Sequence, residues 1–370
     1  MNPKYIFTVL LLVLGYLFTP NKIFAQAENF TFGGSGVLHY NDEVRSIGGA
    51  PGQGEFDLHK IILKSGYQFN RQFSLKTKLK IEHLFSGPDN GEVIFLDQAF
   101  IDYNLKSDFG IRAGLYSVPL GGSKLKPSFG LETAPSDKYI SYSWRELAAG
   151  VYGNFFERIS YEAYIMSGLH AEEFSTKSGI FNARKSRFFS SIDNLAASIR
   201  FGYRFSSEWK LGTSAMISSL QSKNDFGDSL EGTNYKLIEG HAVYTYKAFS
   251  SRLVGIYSTI TESDKINAET GSRLGSSQYG TLIEFGYDLF RLRKSAGTQQ
   301  LVAYTRGEVF DTHLTTESIV DNPENERYEH TFGLVYKPLK SFEIEADYQL
   351  LRSRGNKNIQ QLNIGIGYSF

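Results

Sequence analysis

Lys76, Lys78 and Lys80 recur at every second position, with Leu75, Thr77, Leu79 and Ile81 between them. Residues two apart in an extended chain share a face, so three ammonium groups stand in a row about 6.6–7 Å apart. That spacing lies within a Debye length of about 8 Å, so their fields overlap. Such a row draws anions if it lines a narrow, water-filled passage. Lys60, Lys64 and Arg112 fall on the polar side of their own alternating segments, and Lys124 and Lys126 follow in a long polar stretch. These eight are the expected pore-lining cations. Glu284, Asp288, Glu308, Glu343, Glu345 and Asp347 occupy the polar positions of later segments and form the expected acidic wall. Bases on one wall and acids on the other set up a transverse field. The expected outcome is modest anion preference.

Other chemistries find little support. The chain of 370 residues has no cysteine, which closes the routes to disulfides, Cys-ligated metals and a thiol nucleophile. Seven histidines form no HExxH motif and no close pair. Gly48–Gly54 is Gly-rich but lacks the Lys-Ser/Thr of a phosphate loop. Asn224, Asp225, Asp228 and Glu231 read as a solvated acidic loop more readily than as a calcium site. Lys+Arg and Asp+Glu are both 39, so no bulk charge pulls the chain to nucleic acid. No catalytic group, metal or cofactor is expected, and the chain does not read as an enzyme.

The elements that must position these charges follow from period two. In Phe342–Gln349, Phe342, Ile344, Ala346 and Tyr348 share one face, and Glu343, Glu345, Asp347 and Gln349 the other. About sixteen such segments (14–18) begin near residues 30, 56, 72, 93, 108, 146, 158, 194, 208, 236, 251, 279, 298, 328, 341 and 359. Short and long connections alternate between them, as in outer-membrane barrels with short periplasmic turns and long external loops. The long ones include 117–145, expected on the extracellular side and partly inside the barrel. After the first segment no stretch approaches 18 apolar residues, and mean hydropathy is -0.27, which excludes a helical membrane bundle. Aromatics make up 15% of the chain. Phe69, Tyr103, Tyr161, Tyr203, Phe205 and Trp209, near strand ends, fit an interfacial girdle. The expectation is an all-β transmembrane antiparallel barrel, a single domain over residues 26–370.

Residues 1–25 read as an export signal. Lys4 precedes an uncharged, mostly apolar run from Tyr5 to Phe18, and Ala25-Gln26-Ala27 places cleavage after Ala25 or Ala27. A barrel that is exported belongs in the outer membrane of a Gram-negative bacterium. The chain ends on Phe370 with Tyr368, Ile366 and Ile364 at alternate positions, resembling the terminal strand read by the outer-membrane assembly machinery. The expected partners are therefore membrane lipid, that machinery, and small hydrophilic solutes or anions.

Arg112-Ala113-Gly114-Leu115-Tyr116-Ser117-Val118-Pro119-Leu120-Gly121, a loop with Pro127 and Glu132, Tyr142-Ser143-Trp144-Arg145-Glu146 and Gly150-Val151-Tyr152-Gly153 together resemble the phosphate-selective porin O and P family and its Bacteroidetes relatives. The resemblance covers roughly 45 residues. It implies a sixteen-stranded homotrimeric porin with a long loop folded inward to narrow the channel. The mixed Lys/Glu lining departs from the arginine-dominated lumen of the phosphate-selective members. A ligand-specific transporter barrel and a secretion-associated structural barrel are the alternative readings.

Overall fold

The computed structural model describes residues 29–46, 54–82, 94–121, 144–171, 174, 194–221, 230, 232–292 and 297–370. Sixteen long strands dominate it. The first eight are β1 Phe30–Ser46, β2 Glu55–Gln68, β3 Phe73–Glu82, β4 Ile94–Lys106, β5 Phe109–Ser117, β6 Arg145–Phe155, β7 Ile159–Ser167 and β8 Leu195–Arg204. The second eight are β9 Trp209–Gln221, β10 Asn234–Tyr246, β11 Phe249–Ile260, β12 Ser277–Asp288, β13 Gln300–Thr315, β14 Glu326–Leu339, β15 Phe342–Ser353 and β16 Asn358–Ser369. Each pairs antiparallel with its sequence neighbour, and β1 pairs with β16, so the sheet is a closed barrel without a free edge. The two residues Leu169–His170 add a short parallel pairing at the end of β9. The expected leader, Lys124, Lys126 and most of the loop 117–145, and Asn224, Asp225, Asp228 and Glu231 lie outside the described residues.

Closure depends on a tight seam. Gly34 N–H donates to Phe370 O and Phe370 N–H to Gly34 O, each at 3.0 Å. A Cβ on Gly34 would stand 2.6 Å from the Phe370 ring, and one on Gly36 2.4 Å from Tyr368. Hydrogen at these two positions lets the terminal aromatics lie flat over the first strand.

Burial inverts the usual order over much of the wall. Ile111 is 40% exposed and Phe201 46%, whereas the neighbouring Arg112 and Arg200 are buried. The apolar face therefore points outward and the ionic face inward, as lipid requires. Aromatic rings collect at the short-turn ends: Phe73 stacks on Tyr103, Phe155 on Tyr161, and Trp209 lies against Tyr244. Leu79 stands on the outer face and Lys78 on the inner, bound to Asp97. Leu79→Arg is expected to destabilise the inserted barrel by about 2–4 kcal/mol if the residue sits near the bilayer midplane. Lys78→Leu should cost far less. Urea titration of vesicle-folded protein ranks the two, and the opposite order would mean that the faces are exchanged.

Part of the interior is apolar, which the strand pattern did not announce. Tyr164 and Met166 of β7, Met216 and Leu220 of β9, Tyr235 and Leu237 of β10 and Ile260 of β11 point inward and pack together. Onto them fold Val118, Leu120, Trp144, Leu169, Phe174, Leu230 and Leu274 from the long connections. The helix α1 Ser263–Thr270 sits in the connection after β11 and buries Ile266 in the same cluster. Glu317 accepts from the Ser263 backbone N–H at 3.0 Å and its hydroxyl at 2.8 Å, fixing the start of the helix. Asn267 clasps Leu274 through both its side-chain atoms, holding the returning chain against it.

Candidate permeation pathway and its ionic lining

Val118–Gly121 leaves the end of β5 and enters the barrel. Gly121 N–H donates to Ser214 Oγ on β9 at 2.9 Å, and Ser198 Oγ on β8 donates to Pro119 O at 3.3 Å. Leu120 and Val118 are buried on the inner wall. This segment thus crosses from one side of the barrel to strands three and four places further on, and occupies lumen cross-section that the strands enclose.

The cationic wall is made of ion pairs. Lys76 Nζ lies 3.2 Å from Asp102, Lys78 Nζ 2.5 Å from Asp97, and Lys80 meets Glu82. Arg145 also binds Asp97. Lys60 stands directly across from Glu82, and Lys64 across from Lys78. Arg112 grips Asp102 with Nε at 2.5 Å and Nη2 at 3.0 Å, and its guanidinium is packed among the rings of Phe100, Tyr116 and Tyr152. The sequence reading of a continuous positive row is corrected here. Each of Lys76, Lys78, Lys80 and Arg112 has a carboxylate beside it: Asp97 and Asp102 come from β4, where cross-strand neighbours on one face stand close enough for opposite charges to attract, and Glu82 lies two residues on from Lys80 in β3 itself.

The acidic wall is also mixed. Arg252, Glu284 and Arg306 lie directly opposite one another on β11, β12 and β13. Arg306 reaches Glu284 at 2.7 and 2.8 Å and Glu308 at 3.8 Å, and Arg252 reaches Glu284 at 3.5 Å. Arg306 is fully buried. Glu345 accepts from the Tyr304 hydroxyl at 2.5 Å, and Asp347 from Asn363 Nδ2 at 2.8 Å. Tyr304 spans β14 because Gly333 leaves the room: a Cβ there would stand 2.2 Å from the ring. Glu343 pairs with Lys337 at 2.9 Å. Asp288 sits at the short-turn end and accepts from the backbone N–H groups of Phe290 and Leu301, each at 3.2 Å, so its carboxylate organises that turn.

A residual asymmetry survives this pairing. The β2–β5 side carries Lys60, Lys64, Lys76, Lys78, Lys80 and Arg112 against Asp57, Glu82, Asp97 and Asp102. The β12–β15 side carries Glu284, Asp288, Glu308, Glu329, Glu343, Glu345 and Asp347 against Arg306 and Lys337, with Arg252 beside it on β11. Among the described residues no His/Asp/Glu group has an arrangement that holds a metal ion. Sequence reasoning missed Asp97, Asp102, Arg145, Arg306 and the buried pair Glu162–Arg200, 2.9 Å apart. Asp102 and Arg112 lie on the two strands joined by the short turn 107–108, and the irregularity between Asn104 and Lys106 sets them directly across from each other.

These features define a class, the closed sixteen-strand barrel with an apolar belt, a charged interior and a connection folded inside. This is the general porin fold. Among solved structures it is similar to an anion-selective porin from Comamonas acidovorans, with a TM-score of 0.62 at 10% identity, covering 92% of this chain and 99% of that one. OprB of Pseudomonas putida matches with a TM-score of 0.61 at 9% identity, covering 93% and 95%. OmpF of Salmonella typhi matches with 0.60 at 12% identity, covering 93% and 99%. In sequence the chain is 28% identical over 351 residues to an uncharacterized protein of Aquifex aeolicus (strain VF5), spanning 89% of this chain and 77% of that relative. No family model matches the chain. The likeness reaches the porin fold and not the phosphate-selective family in particular.

Proposed function

We propose that this chain is an outer-membrane porin through which small hydrophilic solutes diffuse passively, with weak charge selectivity. The observation that carries the reading is the inversion of burial: apolar side chains outside, ion pairs inside, in a closed sheet. The connection at Val118–Gly121 supports it, because it narrows the passage without sealing contacts to the β13–β16 wall among the described residues. The positive surplus on β2–β5 supports modest anion preference, and a similar fold in a porin named anion-selective agrees with that. The pairing of every central lysine argues against strict phosphate selection. The homotrimer implied by the sequence resemblance is retained within this reading.

The test is a planar-bilayer recording of the purified protein in a salt gradient. Ohmic steps with a small reversal potential toward anions are expected. Absence of steps from correctly folded protein would favour the structural-barrel alternative. Orientation is tested on intact cells. Val320, in the long connection after β13, is 76% exposed, and Glu157 lies in the short turn after β6. Val320→Cys should react with an impermeant maleimide on intact cells, and Glu157→Cys only after the outer membrane is opened. The reverse pattern would invert the topology.

A further inference from the structure

The outer face of β6–β10 does not present the even apolar surface seen elsewhere. Ala149, Ala163, Ala197 and Ala215 alternate with larger neighbours on four adjacent strands, and with Lys236 of a fifth they line a groove of about 620 Å³ in the membrane-facing wall. Four inter-strand steps of about 4.8 Å make it roughly 19 Å across. Its lining is apolar apart from Ser198 and one charged residue, Lys236. Lys236 lies on the outer face two residues inside the long-connection end of β10, and no described carboxylate pairs with it. Beyond it the same face runs Ile238, Gly240, Ala242 and Tyr244 toward the short-turn end, so the cation stands at the edge of the apolar belt.

The ring of aromatics is also interrupted here. On the long-connection side Tyr257, Tyr279 and Tyr328 mark the belt edge of β11, β12 and β14, whereas β6–β9 present Leu147, Ile165, Leu195 and Ile217. An apolar depression at membrane depth holds hydrocarbon, and a lone ammonium at its rim matches a negative headgroup. We infer that the groove is a binding site for an anionic membrane lipid, its acyl chain along the alanines and its phosphate on Lys236. This rests on the membrane-embedded reading of the barrel but not on conduction.

The test uses the detergent-solubilised protein and native mass spectrometry with added palmitoyl-oleoyl phosphatidylglycerol or phosphatidylcholine. Wild type should retain the anionic lipid about fivefold better, the value of about 1 kcal/mol for one basic residue at an anionic surface. Lys236→Gln should erase that preference while retaining both lipids equally. Ala163→Phe with Ala197→Phe should lower retention of both. Heat-modifiable mobility and vesicle flotation of each variant are read in parallel. Non-floating wild type would sink the membrane reading itself. A floating Lys236→Gln protein that keeps the preference, or a filled groove that keeps its lipid, would overturn the lipid site. So would a disulfide-linked dimer formed by Ala197→Cys, which would assign the groove to a second copy.

Discussion

Arg306→Met is expected to destabilise the folded barrel by about 3–5 kcal/mol, because removing one partner of a buried pair strands the others. Arg306 is fully buried between Glu284 and Glu308. Arg252 still reaches Glu284 at 3.5 Å after the change, so the loss falls chiefly on Glu308, which stands directly across from Glu329. The double variant Arg306→Met with Glu308→Gln should recover part of the loss, since it also removes one of the carboxylates that Arg306 neutralises. Urea titration of vesicle-folded protein measures both. Wild-type stability in the single variant would mean that water hydrates these carboxylates, and the ionic network would then be no structural element.

The second large effect is electrical. Replacing Lys76, Lys78 and Lys80 by Glu should carry the reversal potential across zero to the cation side. The change removes three positive charges, adds three negative ones, and also uncovers Asp97 and Glu82, whose countercharges include Lys78 and Lys80. Asp102 keeps Arg112 as its bidentate partner, so that corner should hold its shape. Replacement by Gln at the same three sites separates charge from packing and should move the potential about half as far. An unchanged potential in a heat-modifiable, folded triple variant would remove this wall from the permeation path.

Strand positions were legible because alternation is a local signal: the starts expected near 72, 93 and 108 fall at Phe73, Ile94 and Phe109. The phase is weakest near 236, 251 and 328, and at the first two the structure supplies a reason. Tyr235, Leu237 and Ile260 turn inward to meet the folded-in connections, while Gly240 and Gly255 stand outside, so the apolar contrast between faces is blunted there. The ion pairs needed more than phase. Register between strands decides which carboxylate meets which lysine, and irregularities shift it locally. One lies between Lys78 and Leu79 against β4, where Asp97 is the extra residue, and it brings that carboxylate to Lys78. A second, between Val37 and His39, moves Asp57 opposite His39. Such bulges depend on both partners and leave no trace in one strand read alone.

The seam between Gly34 and Phe370 also bears on how the barrel comes to exist. Neighbouring hairpins close loops of about twenty residues, whereas this contact closes one roughly four doublings longer, which adds about 2.4 kcal/mol of chain entropy if the ends must find each other by diffusion. A sheet already zipped from β1 to β16 avoids most of that search, since its own curl delivers the two edges. Until they meet, β1 and β16 expose rows of N–H and C=O groups that hydrocarbon cannot satisfy. Sealing removes those exposed rows, and the hydrogen atoms that Gly34 and Gly36 carry in place of side chains leave the room that Phe370 and Tyr368 fill once the seam is made.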